Sequence, residues 1–205
     1  MPIAHPFTRV ARAAEKHLVA VEPRFATLVK QHGRCTLLPE TDLFRSIVRA
    51  VVAQLISTAA ARTITGRLEA LVKGRITPAT LAKLNDEELR GVGLSRSKLK
   101  TIRGLIELFQ STRGLTAKLL AADDDDFRAK LLPLHGIGPW TIDMLLMFSL
   151  GRPDVWPVGD LGLRSAVKEM FGMPALPAAT ELHLLAEPWR PYRTIATWYL
   201  WRTRG

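Results

Sequence analysis

The chain has 205 residues, of which 47% are hydrophobic, and it carries a formal net charge of +10 at pH 7. This length allows one good core or two small lobes, and no apolar run approaches the roughly 20 residues that a membrane helix needs. Cys35 is the single cysteine, so neither a disulfide nor a thiolate cluster can form within the chain. The positive charge indicates a polyanionic partner, and DNA, RNA and an anionic membrane surface all fit it.

The N-terminal sequence MPIAHPFTRVARAAEKH has no apolar core of the kind that a secretory signal carries. We therefore expect a cytoplasmic protein, or one associated with the nucleoid. Residues 6–32 then show two short helical patterns, which Pro23 interrupts and Gly33 ends.

Residues 42–74 predict a long helical stretch, because their apolar positions recur at helical spacing, with a break at residues 54–57. Ser57 is an N-cap candidate for the second half of the stretch. Gln54 and Leu55 are therefore expected at a corner between two helices. From the residues alone, Leu55 is an ordinary core leucine.

Two short helices are expected to start after Thr77 and Asn85, and Ser95 is expected to cap a third helix. This third helix follows a glycine-containing turn and has several basic side chains. Two interpretations are equally open: a solvated helix face or a set of phosphate contacts. The basic residues are Arg96, Lys98, Lys100 and Arg103.

Four adjacent carboxylates, Asp123–Asp126, open a further helix. Their spacing lacks the alternation of a calcium-binding loop. Helix capping and compensation of the helix dipole explain them better than a metal site does.

A tight turn with two glycines follows this helix. Gly136 and Gly138 flank Ile137, and Pro139 comes next, which predicts a hairpin that leads into a helix with proline at its first position. The first N–H groups of a helix have no partner within it, and the helix dipole favours negative charge there, so this turn is a candidate phosphate site. The helix is expected to run over residues 140–150.

An acidic residue, Asp160, precedes the amphipathic run 161–171, where it is expected to cap a helix. A short helix from Glu181 and a tryptophan-containing segment complete the chain, and all five tryptophans fall in its second half. No segment shows the alternation of a strand, which predicts an all-α fold.

Residues 131–164 read LLPLHGIGPWTIDMLLMFSLGRPDVWPVGDLGLR. This stretch resembles the helix-hairpin-helix signature and downstream catalytic aspartate of the DNA glycosylase superfamily, and most of all its 3-methyladenine DNA glycosylase II branch. The resemblance extends over most of the chain from about Asp42.

The resemblance implies a helix-hairpin-helix glycosylase fold with two helical lobes flanking a cleft. Residues 1–40 and 155–205 would form one lobe, and residues 41–150 the second, with the hairpin at 131–150. Larger relatives carry an additional β-rich N-terminal domain, for which the short segment before residue 41 is expected to leave no room. The single cysteine leaves no ligands for the iron–sulfur cluster of relatives that resemble endonuclease III.

It also implies excision of alkylated purines, of the 3-methyladenine and 7-methylguanine class, that are flipped out of double-stranded DNA. Asp160 matches the catalytic aspartate, although an ordinary N-cap is the alternative. Trp140 and Trp198 match aromatic positions of the base pocket, and an indole face suits a cationic base. Met144 stands where some relatives have an aromatic pocket residue. Bifunctional relatives carry a lysine at the position of Trp140, so a monofunctional enzyme that leaves an abasic site is expected.

DNA contacts follow from the same resemblance. Leu55 matches an apolar wedge that fills the place of the flipped base, with Gln54 beside it. The hairpin residues Gly136, Ile137 and Gly138 are expected to bind a phosphate, with the N–H of residue 140. The basic turn at Ser95 and Arg96 is a second candidate. Relatives often bind a monovalent cation through hairpin carbonyls, which would make sodium or potassium a possible ion here. These carbonyls belong to Leu132, Leu134 and Ile137.

Two other classes of protein stay open. The chain could be a non-catalytic DNA-binding module with the same hairpins, or a helix-turn-helix regulator, for which no polar recognition helix is apparent. Asp143 is the alternative catalytic acid, although a local structural hydrogen bond suits it better. A monomeric enzyme is expected.

Overall fold

The computed structural model describes residues 6–204, and all regular secondary structure in this range is helical. The expected all-α fold is confirmed. No helix within these residues is long and apolar enough to cross a membrane. The α-helices are α1 (Pro6–Val21), α2 (Arg24–His32), α3 (Leu43–Ala53), α4 (Thr58–Leu71), α5 (Pro78–Leu81), α6 (Asp86–Gly91), α7 (Arg96–Ser111), α8 (Leu115–Ala121), α9 (Asp124–Leu131), α10 (Pro139–Phe148), α11 (Leu161–Phe171), α12 (Ala179–Ala186) and α13 (Arg193–Arg202), with a 3₁₀-helix at Glu187–Trp189.

The chain divides into two compact units. The first unit runs to Pro39 and resumes at Leu146, and the second spans Glu40–Leu145. The boundary therefore falls inside α10, earlier than the sequence-based boundary at about 150–155. Residues 1–5 and 205, which the predicted first lobe includes, lie outside the described residues.

The second unit begins with α3, which packs against α4, α7 and α8. Its buried side chains include Ile47, Val48 and Val51, which recur on one face at helical spacing. Side-chain caps start most helices of this unit, because an oxygen of the capping residue accepts an N–H of the first turn. The capping residues are Asp42, Ser57, Thr77, Asn85, Ser95 and Asp123, as their sequence positions predict.

The first unit contains α1, α2, α11, α12 and α13, and α13 packs against α1, α2 and α11. Aromatic rings fill its core: Trp189 meets Phe25 and Trp156 edge to face, at centroid distances of 5.1 and 5.3 Å. The Tyr199 hydroxyl donates to Glu15 Oε1 at 2.9 Å. This bond fastens the last helix of the unit to the first.

Helix boundaries differ from the sequence-based expectation in three places. Helix α10 ends at Phe148 instead of residue 150, because Gly151 with φ +64° turns the backbone and the Arg152 N–H bonds back to the Leu146 carbonyl. Helix α12 starts two residues before the expected Glu181. Helix α8 was not expected; Gly114, with φ +70°, precedes it.

Candidate active site and DNA-binding hairpin

Asp160 caps the N-terminus of α11, in the first unit. Its Oδ1 accepts the Leu163 N–H at 2.6 Å, and the indole Nε1–H of Trp201 donates to the same oxygen at 2.8 Å. A local cap and a long-range donor thus converge on one carboxylate oxygen. These two donors hold the carboxylate in one orientation, which fixes the position of its negative charge.

The Trp201 indole is itself positioned by its neighbours. Phe148 stacks on it, with ring centroids 5.9 Å apart and planes 18° from parallel. Gly162 leaves space for the contact with Asp160, because a Cβ at this glycine would lie 3.1 Å from Asp160 Oδ1 and 3.5 Å from the indole. Trp201 was not among the predicted site residues.

Trp198, a predicted residue of the base pocket, is buried in the first unit. Its side chain is 7% exposed and belongs to the core of the first unit. The Arg202 guanidinium lies 3.9 Å from the ring centroid, and Tyr199 meets the ring edge to face at 4.8 Å. Arg202 and Tyr199 therefore cover much of the Trp198 ring. The role of Trp198 in a base pocket stays a prediction, and the indole that contacts the Asp160 carboxylate is that of Trp201.

The hairpin of the second unit connects α9 to α10. The Leu134 N–H bonds to the Leu131 carbonyl at 3.1 Å, and the Ile137 N–H bonds to the Leu134 carbonyl at 3.1 Å. Ile137 is buried and anchors the turn. The expected hairpin with Pro139 at the first position of the following helix is present.

The two hairpin glycines serve different purposes. Gly136 has φ +75°, and an added Cβ would overlap the Thr101 hydroxyl of α7. Gly138 has no positive φ, and an added Cβ would meet open space. An uncovered backbone at the start of a helix suits the close approach of a phosphate.

Two predicted base-pocket residues follow the hairpin on α10. Trp140 is half-buried and Met144 is buried. They lie one helical turn apart, so they share a face of the helix. Their role in holding a base stays a prediction.

The corner between α3 and α4 is exposed as a wedge would be. Leu55 has φ +58°, which is unusual for a residue with a branched apolar side chain, and its side chain is 105% exposed. The alternative that Leu55 is a core residue is therefore wrong. Gln54, predicted to contact DNA, points its amide nitrogen at the hairpin: Nε2 lies 2.9 Å from the Gly136 carbonyl oxygen and 2.9 Å from Thr141 Oγ1.

The basic helix α7 divides between structural and exposed side chains. Lys98 Nζ donates to the Val52 carbonyl at 2.8 Å, and burial lowers the pKa of this amine. Arg103 pairs with Asp86 at 2.7 Å. Arg96, beside the cap residue Ser95, and Lys100 are exposed, so a phosphate contact stays a prediction for these two side chains.

Asp143, the alternative catalytic acid, has a structural partner. Arg128 donates to its Oδ1 at 2.7 Å, and the carboxylate side chain is 14% exposed. Burial raises the pKa of Asp143, while the pairing with Arg128 opposes this rise. This pair joins α9 to α10 across the hairpin, which is the local structural role that the sequence favoured.

The predicted cation ligands are backbone carbonyls of the hairpin loop. The Leu134 carbonyl already accepts the Ile137 N–H, and its second lone pair allows another bond. Carbonyl oxygens are hard ligands that suit sodium or potassium more than a transition metal. Within residues 6–204, no group of three or more His, Cys, Asp or Glu side chains could hold a metal ion.

An all-helical fold with a glycine hairpin that opens one helix, and an aspartate that caps a later one, defines a helix-hairpin-helix protein. The chain belongs to the HhH-GPD superfamily of base excision DNA repair proteins, whose model matches residues 48–191. The predicted superfamily is confirmed.

Three known proteins illustrate a similarity that extends over nearly the whole chain. The alkylbase DNA glycosidase-like protein mag2 of Schizosaccharomyces pombe is 32% identical over 197 residues, which cover 93% of this chain and 92% of that protein. The structure of the 3-methyladenine DNA glycosylase Mag1 of the same yeast, in complex with abasic DNA, matches with a TM-score of 0.84 at 29% identity, over 93% of this chain and 96% of Mag1. The DNA-3-methyladenine glycosidase of Bacillus halodurans matches with a TM-score of 0.79 at 36% identity, over 94% and 89% of the two chains.

Proposed function

We propose that the protein is a monofunctional DNA glycosylase, which hydrolyses the N-glycosidic bond of alkylated purines in double-stranded DNA and leaves an abasic site. The observation that carries the proposal is the double hydrogen bond to Asp160 Oδ1, from the Leu163 N–H and the Trp201 indole. A simple N-cap needs only the first of these donors.

Asp160 supplies the chemistry in this proposal. As the glycosidic bond breaks, positive charge develops on the sugar, and a fixed carboxylate stabilises that charge electrostatically. The same carboxylate orients or deprotonates the attacking water. Gly159 precedes it, so no second acid at the neighbouring position shares the role.

The reaction ends with base removal. Strand cleavage by bifunctional glycosylases requires an amine that attacks the sugar and forms a Schiff base. Trp140 stands at the corresponding position of the hairpin helix, and an indole nitrogen is not a nucleophile of that kind. Water is therefore the proposed nucleophile.

Alkylated purines are the proposed substrates. Alkylation of a ring nitrogen gives the base a positive charge, which makes the base a good leaving group. The cation–π interaction of such a base with an aromatic face contributes about 0.5–2 kcal/mol. The similarity to proteins named 3-methyladenine DNA glycosylases supports this class. Trp140 and Met144 are proposed to contact the flipped base.

DNA is the proposed partner, bound by the hairpin and the wedge. The net charge of +10, the uncovered backbone at Gly138 and the exposed Leu55 support this, as does the DNA complex of the similar Mag1. Affinity for undamaged duplex should be weak and salt-dependent, with a slope of about −0.9 in log K against log salt for each phosphate contact. A sodium or potassium ion on the carbonyls of Leu132, Leu134 and Ile137 would add a further positive charge at the phosphate. We also propose that the protein acts as a monomer inside the cell, at the nucleoid.

Substitution of Asp160 by asparagine tests the catalytic role. The asparagine oxygen still accepts both N–H groups and caps a helix about as well, so the fold and its melting temperature should change little. Binding to alkylated duplex should persist. Excision of 3-methyladenine should fall by several orders of magnitude, since each tenfold in rate corresponds to about 1.4 kcal/mol of transition-state stabilisation.

The residual rate adds a second criterion. A cationic lesion such as 7-methylguanine should retain more of its rate than a neutral one such as hypoxanthine, provided that the wild type removes both. Near-wild-type excision by the Asp160→Asn variant would exclude catalysis by Asp160. No excision by the wild type on any alkylated duplex, with binding intact, would favour a non-catalytic DNA-binding module instead.

A further inference from the structure

We infer that Gln54 is a positioning residue, which holds the Leu55 wedge at a fixed place relative to the phosphate-binding hairpin. The inference rests on the proposed function of the chain as a base-flipping glycosylase. It assigns to Gln54 a role inside the protein, in place of the direct DNA contact that its sequence position suggests.

Both amide hydrogens of Gln54 are directed at the hairpin side of the unit. Nε2 donates to the Gly136 carbonyl at 2.9 Å and to Thr141 Oγ1 at 2.9 Å. Gly136 is the positive-φ residue of the hairpin turn, and Thr141 lies buried in the first turns of α10. A primary amide has two N–H hydrogens, so this geometry uses the full donor capacity of the side chain within the protein.

The backbone of the corner itself is weakly held. The Gln54 N–H reaches the Val51 carbonyl at 3.4 Å, and the Ile56 N–H reaches the Ala53 carbonyl at 3.5 Å, both longer than the usual 2.9–3.0 Å. Leu55 between them has φ +58° and an exposed side chain, so packing does not fix it. The bonds from the Gln54 side chain are the short ones at this corner.

A second tie comes from α7. Lys98 Nζ donates to the Val52 carbonyl at 2.8 Å, which satisfies one of the carbonyls at the end of α3. The same helix meets the hairpin at Thr101, whose hydroxyl lies against Gly136. Two connections thus link the end of α3 to the hairpin: the Gln54 side chain and helix α7. Of these, only Gln54 belongs to the corner and is adjacent to Leu55.

The consequence concerns the geometry of base displacement. A phosphate bound at the hairpin fixes the protein on the backbone of the DNA, and the wedge must then enter the duplex at one particular step. An error of about 1 Å in the position of a group in such a reaction slows it substantially. Gln54 converts phosphate binding at the hairpin into correct placement of Leu55.

The test compares Gln54→Met, Leu55→Ala and the double variant. Methionine keeps the length of the side chain and removes both donors. The measurement is the single-turnover rate of 3-methyladenine excision from a fully paired duplex, divided by the rate with the same lesion at a mismatch. Because a base at a mismatch is already loose, this ratio reports on the wedge, whereas a general loss of stability or catalysis lowers both rates alike.

We expect Gln54→Met to lower this ratio by roughly tenfold, the value for a lost hydrogen-bond anchor. The double variant should be no worse than Leu55→Ala, because a wedge that is absent needs no positioning. Multiplied effects of the two substitutions, equal slowing on both substrates, or an unchanged ratio in Gln54→Met would each overturn the inference.

Thr141→Val provides a milder variant for the case in which Gln54→Met does not fold. It removes one of the two acceptors and should shift the ratio in the same direction by a smaller factor; an unchanged ratio contradicts the inference. Fluorescence of 2-aminopurine next to an abasic-site analogue measures unstacking without chemistry. If the wild-type protein unstacks the probe but excises no base, the proposed function is contradicted and the inference about Gln54 is not. The fluorescence of the same variants then tests whether Gln54 positions the wedge.

Discussion

The Trp201 indole donates its N–H to Asp160 Oδ1 at 2.8 Å, across a separation of 41 residues along the chain. The same oxygen also accepts the Leu163 N–H. The carboxylate at the helix cap is therefore oriented by a residue that contributes nothing to the cap. A tryptophan in this position acts on Asp160 as a positioning residue.

Replacement of Trp201 by phenylalanine should slow excision with little change in fold. Phenylalanine keeps the stacking on Phe148 but loses the donor to Asp160. A hydrogen bond to a charged acceptor contributes about 1.5–3 kcal/mol, so single-turnover excision should fall by roughly 10- to 100-fold. The matched control is Trp156→Phe, which loses the indole bond to the Leu182 carbonyl. The control should lower the melting temperature and leave the rate constant of the folded protein unchanged; equal rates in the two variants would contradict the role of Trp201.

A methyl group at Gly162 should disturb the same carboxylate. Its Cβ would lie 3.1 Å from Asp160 Oδ1, so the carboxylate or Trp201 must shift by a few tenths of an ångström. Gly162→Ala should reduce excision by roughly tenfold, although alanine favours a helix over glycine by up to about 1 kcal/mol. Gly159→Ala is the control, because a Cβ at Gly159 meets open space. Kinetics of both variants, with thermal unfolding, check this; equal rates would show that the carboxylate tolerates the contact.

Leu55→Gly should separate stability from base displacement. Glycine relieves the strain of φ +58°, about 1–2 kcal/mol, and loses about 0.5–1 kcal/mol through its greater freedom in the unfolded chain. The free energy of unfolding should therefore stay the same or rise by up to about 1.5 kcal/mol. Excision from a paired duplex should slow far more than excision at a mismatch. Lys73→Gly is the control, since Lys73 also has a positive φ, of +51°. The Lys73→Gly control should leave the ratio of the two rates unchanged. A lowered melting temperature of Leu55→Gly, with equal slowing on both substrates, would contradict the role of Leu55 as a wedge.

Alkaline pH should destabilise the protein through Cys35. Burial, first of all, and the nearby charge of Glu15 raise the pKa of this thiol from 9.0 to about 11. The folded state favours the neutral thiol, so this contribution to stability is complete below pH 9 and is lost as the pH rises through about 11. Burial and the hydrogen bond to Glu15 also raise the pKa of Tyr199. Deprotonation of this hydroxyl at alkaline pH therefore destabilises the folded state as well.

Urea unfolding between pH 8 and pH 11.5 checks this expectation. Two pKa units correspond to about 2.7 kcal/mol, so wild-type protein should lose up to about this amount from Cys35 alone. Cys35→Ala should show a smaller loss over the same range. Alkylation of native Cys35 should also be slow at pH 8, because the thiol is 3% exposed and mostly protonated. Identical pH profiles for the two proteins would contradict the raised pKa.

Local signals in the sequence predicted local structure well. The N-caps Ser57, Asn85 and Asp160 were identified because a cap depends on one side chain and the three residues after it. The break at residues 54–57 and the hairpin could be placed for the same reason. The catalytic role proposed for Asp160 came from the resemblance to a known superfamily, because the cap alone does not indicate it.

Long-range contacts explain what the sequence could not predict. Trp198 and Trp201 lie three residues apart on α13, so helical periodicity places them on the same side of the helix and does not show which one reaches Asp160. The direction of the Gln54 amide depends on a hairpin 82 residues further along the chain. Each contact joins residues that are distant in the sequence and forms only when its own unit folds, so no local sequence pattern predicts it.

The division of the chain sets an order for its folding during synthesis. The second unit is one continuous segment, Glu40–Leu145, whereas the first combines the chain up to Pro39 with the chain from Leu146 onward. Domains generally fold as they leave the ribosome, and distant segments must wait for one another. The hairpin and wedge are therefore expected to form on the nascent chain, while the bond between Trp201 and Asp160 can form only after Trp201 has emerged. In this order of synthesis, the hairpin and the Leu55 corner are complete before the proposed catalytic carboxylate is held in its orientation.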